Sequence, residues 1–225
     1  MSGLDALLGR MTASLGPSEV CALPLPADIA DRSVDQGSGR LEFRTRMLDC
    51  LDAFEIRVAN FAGPKLEITN FYAYPRPALA LPVVGMQTVV MGQRPIVGVV
   101  DALELHGDAP APFPPLLAAR TAHADLGYCE DQPEWFRACR SGAELFLRPE
   151  THDALARIVD VTAGLLAEIG GRARAAAAAP DPTAHGAAIA AYKDHHRIHS
   201  EGLPLMHSRF GEAWTRRFME EHFFA

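Results

Sequence analysis

Three histidines fall within five positions near the end of the chain, His195, His196 and His199 in "KDHHRIHSEG", and His207 follows. On a helix His195 and His199 project from one side, one turn apart, the arrangement of helical His-x-x-x-His metal-ligand pairs. The carboxylate that completes such a site is missing. Where a glutamate would follow the first histidine stand His196, Arg197 and Ile198, and an arginine repels a dication. Spacing therefore leaves three readings: a metal site, a solvated helix face, or the lining of an organic ligand site. Ile189, Tyr192, His196 and His199 recur at three, four and three residues and share one helical face. His195 lies about 100° around from His196, and His195 and His207 read as solvent-facing.

The elements that must position these residues belong to a chain of ordinary composition. Its 225 residues, 48% apolar and 22% charged, fit a single domain, 1–225, with enough length to bury a substantial core. Apolar runs stay well short of the roughly 20 residues of a membrane span. The N-terminal "MSGLDALLGRM" lacks the basic start and long apolar run of a secretory signal, which predicts a cytoplasmic protein. Cys21, Cys50, Cys129 and Cys139 form no C-x-x-C pair and read as free thiols, so no zinc or redox role is expected. A net charge of −7 argues against a general nucleic-acid binder, although "GGRARA" and "WTRRF" are local basic clusters of docking-patch size.

Residues 3–15 read as a short helix, followed by a Pro-rich connection, "LPLPADIADRS", and a Gly/Ser turn at "DQGSGR". From Leu41 to about Leu105 short alternating segments repeat: "LEFRTRM", "FEIRVANF", "KLEITNFYAY", "PVVGMQTVVM" and "PIVGVVDALEL". Strands this close in sequence pair antiparallel, because a parallel crossover takes a dozen or more residues. In "KLEITNFYAY", period two puts Leu66, Ile68, Asn70, Tyr72 and Tyr74 on one face, where Asn70 interrupts an apolar and aromatic surface, a ligand face or a rim. An odd loop at "GQRP" places Asp101 beside Gln87 on that face; an even loop turns it away. "APAPFPPL" reads as a loop and "AELFLRP" as a short strand closed by Pro149. A long amphipathic helix follows from about Thr151, with Leu155, Ile158, Val159, Leu165, Leu166 and Ile169 at helical spacing and Thr151 or Asp153 as cap. The alanines at 175–179 and "PDPTAHG" read as a helix end and flexible link, before helices at about Ala187–His199 and in "EAWTRRFMEEHFF". Trp135 and Trp214 read as packing anchors. The expected class is α+β, an antiparallel sheet covered by helices on both faces.

The segments "YPRPALALPVVGMQTVV" leading into "GVVDALEL", "PEWFRACRSGAELFLRP" and "LPLMHSRFGEAWTRRFM" resemble the signature segments of ferredoxin-dependent bilin reductases, enzymes that reduce biliverdin to phycobilins or phytochromobilin. The resemblance implies an α/β/α three-layer sandwich with the bilin between a central antiparallel sheet and the C-terminal helices. It turns the His196 and His199 stripe into pocket lining rather than a metal site. It implies radical chemistry on the bilin, with single electrons from reduced ferredoxin, whose 2Fe–2S cluster stays on the partner. No flavin, nicotinamide or metal is expected on the chain, and the product is a phycobilin-type chromophore.

Position by position, the proton-donating aspartate of the middle block falls on Gln87 and the second common acid, in the C-terminal segment, on Ser200. A sheet position that is His or Asn among members falls on Asn70, and a glutamate of some members on Asn60. An amide can bond a pyrrole N–H or a lactam oxygen but has no titratable proton near neutrality. The replacement donors are His196, His199, Glu201 and Asp101, histidine alone having an ordinary pKa close to neutral. Water or the protonated bilin are alternatives, and a non-catalytic bilin carrier on the same fold is a reading of another class. Tyr72 joins the substrate-facing set, with Arg148 and Arg197 as partners for propionates.

Overall fold

The computed structural model describes residues 3–16, 19–36, 39–107, 110–175 and 177–225. The turn expected at Gly37 and Ser38, the start of the "APAPFPPL" loop at Ala109, and Ala176 of the alanine run lie outside the described residues. The first half of the chain comprises α1 (Gly3–Met11), β1 (Val20–Ala22), α2 (Ala27–Ala30), β2 (Asp31–Gln36), β3 (Gly39–Cys50), β4 (Phe54–Gly63), β5 (Leu66–Pro75), β6 (Val83–Met91) and β7 (Arg94–Glu104). The second half comprises β8 (Ala111–Pro112), α3 (Pro114–Ala122), α4 (Glu134–Arg137), β9 (Leu145–Leu147), α5 (His152–Arg174), α6 (Pro182–His199), α7 (Leu203–Phe210), α8 (Glu212–Arg217) and a π-helical turn (Phe218–Phe223). No described helix is long and apolar enough to cross a membrane.

The long strands β3 to β7 form an antiparallel meander in sequence order; β1 and β2 share one edge, along β3, and β8 and β9 share the other, along β7. Alternation divides each strand between two cores. Ile56, Val58, Phe71, Ala73, Val84, Met86, Val100 and Ala102 face α1, α3 and α5. Ala59, Phe61, Tyr74, Val83 and Leu103 face α6, α7, α8 and the π-helical turn. The result is the three-layer α/β/α arrangement, with α5 lying close on β7: a Cβ at Gly98 would sit 2.8 Å from Leu155 Cδ2. Thr151 caps α5 through the Ala154 amide, and the apolar stripe from Leu155 to Ile169 is buried.

Several local expectations change. "PDPTAHG" is no flexible link: Asp181 accepts hydrogen bonds from the amides of Thr183 (2.9 Å) and Ala184 (3.0 Å), and Pro182 occupies the first helical position, so α6 begins five residues before Ala187. The Pro-rich connection contains α2 and runs into β2. The C-terminal amphipathic segment is two pieces, α8 and the π-helical turn, preceded by α7. Its end is fastened to the sheet by Arg57 of β4, a 6% exposed side chain that donates to the carbonyls of His222 (2.8 Å), Phe223 (3.2 Å) and Ala225 (3.0 Å) and pairs with Glu55. These carbonyls end a helical turn and have no partner within it, so Arg57 acts as a cap supplied from the sheet.

Candidate active site

Leu66, Ile68, Asn70 and Tyr72 of β5 share the face beneath α6 and α7, and the pairings Asn70↔Gln87 and Tyr72↔Gly85 extend it onto β6. Over this face lies a cavity of about 420 Å³, walled by Phe61 from the sheet and by Met206, Phe218, Met219 and Phe223 from above. A side cavity of about 180 Å³ adjoins it over β6, β7 and β9, closed by Pro133, Trp135 and Phe136. Tyr72, Gln87, Val97, Trp135, Arg148, His196 and Glu201 line both.

The polar groups are few and mostly paired. Gln87 Nε2 donates to Asn70 Oδ1 at 2.7 Å, one hydrogen bond that links the two amides across the strand pair and does not engage the Asn70 NH2 or the Gln87 Oε1. His196, 5% exposed, has its Nδ1 3.3 Å from the Tyr72 hydroxyl and its Nε2 3.5 Å from Cys139 Sγ. Burial pushes its pKa down to about 3, and neighbouring His195 pushes the same way, so the ring is neutral near pH 7. Burial also lifts the Cys139 thiol to about 12 and Tyr72 above its ordinary range. Cys139 Sγ lies 3.4 Å from the Phe136 carbonyl, which takes the S–H. His196 then donates Nε2–H to sulfur and accepts the Tyr72 O–H at Nδ1. A neutral ring with both nitrogens engaged is a poor proton donor.

Asp101 is the buried carboxyl of the side cavity, 3% exposed. It accepts hydrogen bonds from the amides of Ala102 and Ser141, each at 2.8 Å, and from the Ser141 hydroxyl. Burial raises its pKa from 3.8 to about 6 against these bonds, and the charge of Glu144 adds to the rise. The route by which it reaches this face was hidden in the sequence. The β6–β7 turn has an even, two-residue loop, Gly92–Gln93 between Met91 and Arg94, which alone would turn Asp101 away. A bulge moves the register, so that Val90 pairs with Pro95 but Val89 with Val97, leaving Ile96 extra and placing Asp101 on the Gln87 face. Pro95 has no N–H for the ladder, and bulges are where strands accommodate proline.

Ser200 caps the end of α6 at the main cavity, and Glu201 accepts the Trp135 indole N–H at 3.0 Å. Arg148 lines both cavities, its guanidinium 5.4 Å over Phe146, with no carboxylate partner among the described residues. Three expected site residues lie elsewhere. Asn60 is on the α5 side of the sheet, donating to Thr69 Oγ1 (3.0 Å) and Glu67 Oε1, because its even position on β4 alternates with Ala59 and Phe61. Arg197, one residue and so about 100° from His196, pairs with Asp194 and lines a separate open cleft with Arg76 and Lys193. His199, in the last turn of α6, is exposed beyond the cavity, its ring 4.6 Å from His195. His195 is half-buried, donating Nε2–H to the Trp135 carbonyl at 2.7 Å, while His207 is exposed. Among the described residues no three His, Cys, Asp or Glu side chains are grouped to hold a metal ion.

Trp135, Cys139 and Ser141 are site residues that sequence reading missed or assigned to packing, since "PEWFRACRSG" carries no periodicity to aim its side chains. Trp214 does anchor packing, stacked on Phe218 with its indole N–H on the Asp28 carbonyl.

No curated protein sequence matches the chain. Among solved structures, phytochromobilin synthase from tomato in complex with biliverdin superposes with a TM-score of 0.76 at 12% identity, over 99% of this chain and 83% of that one, a likeness of fold. The family profile described as ferredoxin-dependent bilin reductase matches residues 9–225. With that match running through every strand and helix that forms the cavities, the chain belongs to the ferredoxin-dependent bilin reductase family.

Proposed function

We propose that the chain reduces biliverdin, or a closely related linear tetrapyrrole, to a phycobilin-type chromophore, acting on a carbon–carbon double bond with electrons from a ferredoxin. The observation that carries this reading is a buried carboxyl with a pKa near 6, Asp101, in a cavity adjoining an apolar one. A flat conjugated ligand suits apolar walls with few convergent polar groups. The walls from α7 and the π-helical turn exclude water, which keeps a one-electron-reduced bilin from side reactions. The Asn70–Gln87 pair offers amide groups to pyrrole N–H or lactam oxygen, and Arg148, with no carboxylate partner among the described residues, offers its guanidinium to a propionate.

Gln87 and Ser200 stand where the family acids are expected, His196 is held neutral, His199 lies beyond the cavity, and Glu201 is exposed and holds the Trp135 N–H, so proton delivery falls to the buried Asp101. Near pH 6 it is divided between acid and carboxylate, which lets it give a proton to the reduced bilin and take another from solvent. Each double-bond reduction consumes two electrons from ferredoxin and two protons. Anaerobic incubation with reduced ferredoxin and biliverdin, followed by absorption and chromatography, tests the reading. A reduced product is expected, and Asp101→Asn is expected to slow its formation on the order of a hundredfold. Biliverdin that binds with a shifted long-wavelength band but returns unchanged would identify a carrier, the reading that Gln87 and Ser200 in place of the family acids favour.

A further inference from the structure

The side cavity is too small for a tetrapyrrole. At about 180 Å³ it is slightly larger than an engineered cavity of about 150 Å³ that takes benzene, which is room for one substituted five-membered ring. Val97, Val99, Phe136 and Phe146 supply flat apolar walls. Gly85 forms part of the floor beneath it together with Tyr72 and Tyr192, whose Cε1 and hydroxyl each lie 3.2 Å from where a Cβ at Gly85 would stand, so the absence of a side chain lets the two tyrosines sit down on the sheet. Asp101 lines this cavity and not the main one, whereas Arg148 lines both.

A linear tetrapyrrole offers two kinds of ring. The inner two carry propionates, which the carboxyls of Asp101 and Glu201 repel at close range. The outer two are uncharged lactams with methyl and vinyl substituents, each with an N–H that a carboxylate accepts. Resting on the function proposed above, we propose that the side cavity receives one terminal lactam ring while the other three rings occupy the main cavity, so that reduction falls on that terminal ring and not on a central methine bridge. An iron–sulfur donor gives one electron to the bilin and Asp101 gives a proton to the terminal ring, leaving a neutral bilin radical and a carboxylate. The carboxylate takes a proton from solvent. A second electron and a second proton then complete the addition of two hydrogens across one carbon–carbon double bond of that ring.

Val99 lines only the side cavity, so Val99→Phe and the milder Val99→Leu fill it in two steps without touching the main one. The experiment measures biliverdin affinity and the structure of the first two-electron product for the parent and both variants. The parent product is expected to keep its methine conjugation and to be altered in a terminal ring. Each variant is expected to form that product more slowly, by about tenfold or more, because one extra methylene in a fitted pocket costs about that much. The monocyclic probe 3-ethyl-4-methyl-3-pyrrolin-2-one is expected to bind the parent and to bind Val99→Leu more weakly. A parent product reduced at a methine bridge overturns the inference and leaves the bilin reductase reading standing. So does a Val99→Leu variant with parental rate, product and probe affinity, and this variant decides the matter should Val99→Phe not fold. A parent that binds no biliverdin overturns the reading on which the inference rests.

Discussion

Ser141 touches both oxygens of Asp101, one through its amide and one through its hydroxyl, while the Ala143 amide holds that hydroxyl at 3.0 Å. These bonds favour the carboxylate and oppose burial, so removing one raises the pKa further from its value of about 6. For a proton donor the rate falls as pH rises through that pKa. Ser141→Ala is therefore expected to move the alkaline limb of the rate profile to higher pH, and Ser141→Thr to restore it; coincident profiles would dissociate Ser141 from the acid. Cys139, Tyr192 and Glu144 also act on Asp101, but the first two stay neutral across the range measured. His196 makes the opposite demand on stability. Its folded pKa of about 3 lies below the ordinary 6.5, so between these values the unfolded chain takes up a proton that the folded chain refuses. Stability contributed by the neutral ring is present above pH 6.5 and is lost as pH falls toward 3. Urea titrations at several pH values are expected to show that slope in the parent and a shallower one in His196→Gln. The same substitution is expected to slow turnover far less than Asp101→Asn.

Among the elements, the strands of the meander and the stripe of α5 were legible, because alternation and helical period are direct consequences of having one buried face. Period two in "KLEITNFYAY" placed Asn70 and Tyr72 on the cavity face correctly. The same logic did not place Asn60, which came from a family correspondence with a short gap, and a shift of one residue changes the face of a strand. Nor did it locate the start of α6, where an Asp-Pro pair that resembles a linker is a cap and first turn. Asp181→Ala is expected to cost about 1 kcal/mol by chemical denaturation, as the loss of an N-cap does. Arg57 has no periodic signature at all, since it buries a charge on an apolar face in order to cap carbonyls from another element. Arg57→Met keeps the volume and removes the donors. It is expected to cost about 3 kcal/mol and to weaken bilin binding, because Phe223 and Phe224 line the main cavity. Unchanged affinity in a destabilised Arg57→Met would separate the cap from the pocket.

For the whole molecule, the two cores differ in what they can lose. The α1, α3 and α5 side is continuous apolar packing behind the sheet, whereas the α6 to α8 side surrounds the cavities and rests partly on the Arg57 cap. A ligand bound only by the folded state stabilises it by about 2.7 kcal/mol at a hundred times its Kd. Biliverdin is expected to raise the melting temperature and to increase hydrogen-exchange protection over residues 203–224 more than over α5; uniform protection would argue against binding between the sheet and these helices. The bulge at Ile96 gives the molecule a further property, one of inheritance. If β7 kept the register of the turn, with Ile96 opposite Val89 and no bulge, Val99 and Asp101 would exchange faces with Val100 and Ala102, driving a carboxyl into the apolar core under α5. Such a chain would fail to fold before it failed to react. Selection for a packed core therefore preserves the aim of Asp101, and mutation can replace this carboxyl far more readily than it can turn it around.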